Sequence, residues 1–86
     1  MDIRVTTIYK VYGCDDGGSP ILYAEFLNII DACCYAVANR GRIHYGLPTV
    51  KVHTYSYDAD TQRVSTQYET INEERIYQVA ATNKRN

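Results

Sequence analysis

Ile3, Val5, Thr7, Tyr9 and Val11 alternate with mostly polar neighbours. That is the period-two pattern of a half-buried strand, and β-branched residues dominate it. The segment GCDDGGSP, residues 13–20, is dense turn chemistry. Residues 21–26 then read as a second, shorter strand, so the chain opens with a hairpin. The period changes at Asn28. Asn28 is suited to an N-cap and Asp31 to the third helical position, and Gly41 suits the left-handed residue after a last turn. The pattern predicts a helix over about 29–40. Ile29, Ile30, Cys33, Cys34, Ala36 and Val37 cover one broad arc of it, and Asp31 is its only internal charge. A surface helix ordinarily has a charged back. This one predicts a second covered face, occupied by a loop, by the C-terminal tail or by another molecule.

A loop over 41–48 follows, closed by Pro48. Residues 49–57 give the clearest strand. Val50 and Val52 point one way, and Lys51, His53, Tyr55 and Tyr57 point the other. The sequence DADTQ, residues 58–62, is a hairpin turn, and residues 63–71 return as the partner strand. The tail reads two ways. Asn72, Glu73 and Glu74 would start a helix, whereas Ile76, Tyr77 and Val79 suit a strand. The strand is the expectation. The pattern as a whole predicts one α+β domain over residues 1–86. It is a small antiparallel sheet of four to five strands, ββαββ plus a C-terminal strand or helix, with one helix packed on one face.

Bulk properties change this picture little. Eighty-six residues leave room for one core, and a chain this short buries only about 60–65% of the surface its unfolded form exposes. Such domains often gain stability from a partner or a second copy. No apolar run reaches about 18 residues, and the N-terminus has no signal-peptide pattern, so the expected location is the cytoplasm. Three cysteines, two of them adjacent, are expected as reduced thiols.

Candidate chemistry is sparse. His44 and His53 fall in different elements and no metal-ligand spacing occurs, so no metal and no cofactor is expected. GCDDGG lacks the following helix that a phosphate loop needs. Cys33 and Cys34 lie mid-helix, where burial makes a thiol inert. No nucleophile–base pair is favoured by spacing, and no enzyme is expected.

What remains is charge and tyrosine. No Asp or Glu occurs from Ala32 to Tyr57, a span holding Arg40, Arg42, Lys51 and both histidines. The chain has nine tyrosines, one phenylalanine and no tryptophan. Tyrosine and arginine are typical interface anchors. If the 41–48 loop and the outward side of the third strand share a face, Arg40, Arg42, His44, Tyr45, Lys51, His53, Tyr55 and Tyr57 form one partner-binding surface. A homodimer would form through the helix's second face, where Tyr35 and Ala38 are the candidates for self-association, or through a sheet edge. The same basic, aromatic surface suits a nucleic acid as the alternative partner, although three cations neutralise few phosphates.

The run ILYAEFLNIIDACCYAVANRG, residues 21–41, resembles a pattern in small hairpin–helix proteins of tailed bacteriophages. Phe26, Asn28, Ala32, Tyr35 and Ala36 are the matching positions. The resemblance implies a host-takeover or anti-defence protein, an anti-CRISPR protein among the kinds it suggests. It would inhibit a host protein or protein–nucleic acid complex by stoichiometric contact.

Overall fold

The computed structural model describes residues 3–43 and 46–82. In chain order these are β1 (Ile3–Cys14), β2 (Pro20–Phe26), α1 (Ile29–Ala38), β3 (Thr49–Asp58), β4 (Arg63–Ile71) and α2 (Glu73–Thr82). The strands form one antiparallel sheet in the order β2-β1-β3-β4.

Local chemistry sets the joints. Asp15 Oδ1 accepts from the amides of Gly17 (2.9 Å) and Ser19 (2.8 Å), which folds the β1–β2 turn. Pro20 opens an edge strand, where its missing N–H is tolerated. Asn28 Oδ1 accepts from Ile30 N (2.7 Å) and Asp31 N (3.3 Å), capping α1. The helix closes two residues before the predicted end, within the fraying of any helix terminus. Gly41 takes a φ of +78°, which turns the chain back.

The loop after α1 is pinned to β1. Cys14 N donates to Ile43 O at 2.9 Å. Gly13 lies beneath the same carbonyl, where a Cβ would overlap the Ile43 backbone. Only glycine lets the loop seat there.

The tail departs from the strand expected: residues 73–82 are helical. Asn72 Oδ1 accepts from Arg75 N at 2.8 Å, and Glu73 and Glu74 occupy the first turn. Helical spacing also puts Ile76 and Ala80 on one buried face. A strand would have put Gln78 on that face with them. Among the described residues the sheet accordingly has four strands, and there are two helices rather than one.

The buried core comprises Val11 of β1, Val50 of β3, Ile71 of β4, Ala32, Cys33 and Ala36 of α1, Ile76 and Ala80 of α2, and Leu47 from the loop. The small side chains of α1 let it approach its neighbours closely. It touches β1, β2 and β3, and α2 packs chiefly against it. The C-terminal helix therefore covers part of the apolar surface of α1, while Tyr35 packs on Phe26 and Ala38 stays exposed. Burial pushes the Cys33 thiol above its ordinary value, with Cys34 beside it acting in the same direction and Arg75 opposing.

Candidate functional site: the open face of the sheet

Register assigns the two faces. Val11 opposes Val50 and Ala24, and Val50 opposes Ile71. Val11, Val50 and Ile71 belong to the core with the helices, so this row marks the covered face. The alternate positions point the other way, where none of the described helices lies.

That open face has a definite composition. β1 contributes Arg4, Thr6, Ile8, Lys10 and Tyr12. β3 contributes Lys51, His53, Tyr55 and Tyr57, in the orientation the alternation predicts. β4 contributes Val64, Thr66, Tyr68 and Thr70 opposite them. Glu25 of β2 sits opposite Lys10, with Nζ to Oε2 at 3.8 Å. Among the described residues that register assigns to this face, Glu25 is the acid set against three cations. Glu69, one strand position from Tyr68, points to the covered face together with the core.

His53 is the centre of the face and is only 8% exposed. Its cover is one side chain thick. The Tyr68 ring stands edge-on to it at 4.6 Å between centroids, and the Tyr55 ring lies at 6.2 Å. The Tyr55 hydroxyl reaches within 3.5 Å of Nδ1. Nε2 is buried and has no hydrogen-bond partner among the described residues. Loss of water pushes the imidazole below its ordinary pKa, and Lys10 and Lys51 push it further the same way. The ring is therefore neutral at neutral pH.

Lys10 and Lys51 are directly opposite in register, a like-charge pairing that costs stability in a sheet. Two contacts soften it. Lys51 Nζ lies 5.4 Å from the centre of the Tyr12 ring. The Tyr55 hydroxyl, followed by Glu25, holds Lys10 above its ordinary value against the opposing effect of desolvation.

The face is also partly apolar and wet. Tyr68 is 68% exposed, and Tyr57 and its register partner Val64 are exposed too. Rings, a branched apolar side chain and ammonium groups thus share one uncovered plane.

The sequence-predicted residues divide. Lys51, His53, Tyr55 and Tyr57 are on this face together. Arg40 is on the helical side, its guanidinium carbon 5.9 Å from the centre of the Tyr77 ring of α2. Arg42 is exposed on the loop that Ile43 anchors over Gly13, and Gly13 belongs to the covered side of β1. Loop and strand therefore do not form one surface. His44 and Tyr45 lie outside the described residues. Tyr35 packs its ring on Phe26 at 5.4 Å, and Ala38 is exposed at the end of α1.

Arg4, Lys10, Tyr12 and Tyr68 belong to the face and were missed in the sequence. The alternation of β1 already separates Arg4, Lys10 and Tyr12 from Tyr9 and Val11. Tyr68 needed the β3–β4 register, which the DADTQ turn fixes only once its geometry is known.

Among the described residues no group of three or more His, Cys, Asp or Glu side chains is placed to hold a metal ion. No described helix is long and apolar enough to cross a membrane. No family model, curated protein or solved structure matches this chain.

Proposed function

We propose that this chain is a non-enzymatic binding protein that engages another protein stoichiometrically through the open face of its sheet. One observation carries the reading. Tyr57, Tyr68, Val64, Lys51 and Arg4 share a face that no described helix covers and on which, among the described residues, Glu25 is the acid that register assigns. Exposed tyrosines with branched apolar neighbours and a cationic rim have the composition of an interface hot spot. The partner's complementary patch would carry acids around an apolar centre. The resemblance of residues 21–41 to hairpin–helix phage proteins supports an inhibitory role against a host macromolecule in the host cytoplasm, of the anti-defence or anti-CRISPR kind.

The test is a capture from bacterial lysate with three baits: wild type, the pair Lys51→Glu with Tyr57→Ala, and Glu74→Lys on α2. The reading expects a protein held by the wild type and the α2 variant and lost by the open-face pair. Equal capture by all three removes the face from the account.

The opposed Lys10 and Lys51, with Tyr12 beneath Lys51, favour a second reading in which a single-stranded nucleic acid lies on the same face. Its phosphate would relieve the like-charge pair and its bases would stack on exposed rings. Titration of a short oligonucleotide at about 50 mM salt, where phosphate contacts are strong, decides it; no binding there ends this reading.

A further inference from the structure

β1 is longer than its outer partner. β2 pairs with β1 from Tyr9 to Cys14, while β3 pairs with it from Ile3 to Tyr12. Residues 3–8 therefore have a strand on one side and, among the described residues, none on the other. The helices lie toward the opposite end of the sheet, so on the helical side Val5 is 61% and Ile3 is 49% exposed. Leu27, 79% exposed, stands where β2 ends, next to Ile8. Proteins ordinarily guard such an edge with lysine, proline, a bulge or a covering loop. This edge reads IRVTTI, with one charge, no proline and no glycine.

We propose that this edge pairs with the same edge of a second copy, antiparallel, about a two-fold axis perpendicular to the sheet. Pairing of that symmetry places residues of equal parity opposite each other, because both copies keep the same face up. Three registers are then open, centred on Arg4, Val5 or Thr6. The first sets two guanidinium groups directly opposite, which is repulsive. The third drives Ile3 of the second copy against Tyr9, a position Phe26 already occupies. Among the described residues, which begin at Ile3, the register centred on Val5 meets neither obstacle. It opposes Val5 to its twin, Arg4 to Thr6 and Ile3 to Thr7, and it gathers both copies' Ile3 and Val5 on the helical side. The edge is thus complementary to itself in one register, which argues for a second copy over an unrelated strand. The two open faces would then lie side by side on one continuous sheet, with both helical layers behind it.

Light scattering over a concentration series to about 1 mM, where even millimolar self-association registers, tests this on the full chain. The wild type is expected at twice 9.8 kDa. Val5→Lys, at an exposed position, is expected to keep its circular dichroism spectrum and run at the single-chain mass. Val5→Glu should do the same, and an equimolar mixture of the two should return to the dimer, since the two-fold sets residue 5 against residue 5. A wild type that is monomeric throughout overturns the proposal. So does a Val5→Lys chain that dimerises as well as wild type, or a mixture that stays monomeric. If wild-type β1 amides are slowed in hydrogen exchange only when a captured host protein is added, the edge belongs to that partner and the proposal falls. Capture of a partner by the open face is read separately and is not affected by any of these outcomes.

Discussion

Replacing His53 with phenylalanine isolates the buried, unsatisfied nitrogen at the centre of the open face. Nε2 is shut off from water without a partner among the described residues, and an orphaned buried polar atom costs about 1–3 kcal/mol. The contact the ring does make, Nδ1 to the Tyr55 hydroxyl, is 3.5 Å long and contributes little. Phenylalanine keeps the edge-on contact with Tyr68 and has nothing to leave unpaired. Its extra volume can grow outward, because the cover is a single layer of tyrosines. The expected result is a gain of about 1 kcal/mol, or about 4–8 °C in Tm for a domain of this size. The pH dependence follows from the same ring. Its folded pKa lies below the unfolded value of about 6.5, so from that pH downward the unfolded chain binds the proton more readily. The contribution of His53 is therefore intact above about pH 6.5 and is lost as pH falls through that value toward the folded pKa. Thermal melts at pH 8 and about pH 5.5 should show wild type losing stability on acidification and His53→Phe losing less. A variant less stable than wild type at pH 8, or equal acid sensitivity in the two chains, refutes the reasoning.

Gly13→Ala should destabilise by at least the roughly 1–3 kcal/mol of an overpacked site, read as a lower urea midpoint, because the new Cβ meets the Ile43 backbone; an unchanged midpoint would mean the loop is not seated on β1. Asn28→Ala removes the acceptor for two α1 amides and should cost about 1 kcal/mol in the same assay, while Asn28→Gly should recover most of it. Ile76→Ala, at a side chain 2% exposed, should cost about 2–5 kcal/mol, a large part of the stability of a domain this small. A loss below 1 kcal/mol there would show that α2 does not close the core. Iodoacetamide at neutral pH should label Cys33 only on unfolding, since it is buried with a raised pKa; rapid labelling of Cys33 in the native chain would contradict its placement.

The strands were legible because each carries its own signal. Alternation placed Lys51, His53, Tyr55 and Tyr57 on one face without any knowledge of neighbours. The tail was not, because Ile76, Tyr77 and Val79 suit a strand by local preference. Burial of Ile76 and Ala80 as α2 packs on α1 decided for the helix, and that burial is tertiary. The loop carrying Arg40 and Arg42 could not be placed either. Its side of the sheet depends on Gly13 admitting Ile43, a contact between segments thirty residues apart that no local pattern encodes. Charge misled for a related reason. The acid-free span Ala32–Tyr57 is contiguous in sequence but is divided in space by the sheet. Cations from β1, which lie outside that span, complete the open face.

The central claim is that binding resides on the side of the sheet that no described helix covers. It is tested most directly by the affinity of a purified partner for side-specific variants, by calorimetry at fixed salt. Lys51→Glu, Tyr57→Ala and Tyr68→Ala should each weaken binding by about tenfold or more, which corresponds to about 1.4 kcal/mol, while Arg42→Glu and Glu74→Lys should leave it within about twofold. Loss of binding in the helical-side variants, with the open-face variants unaffected, would contradict the claim.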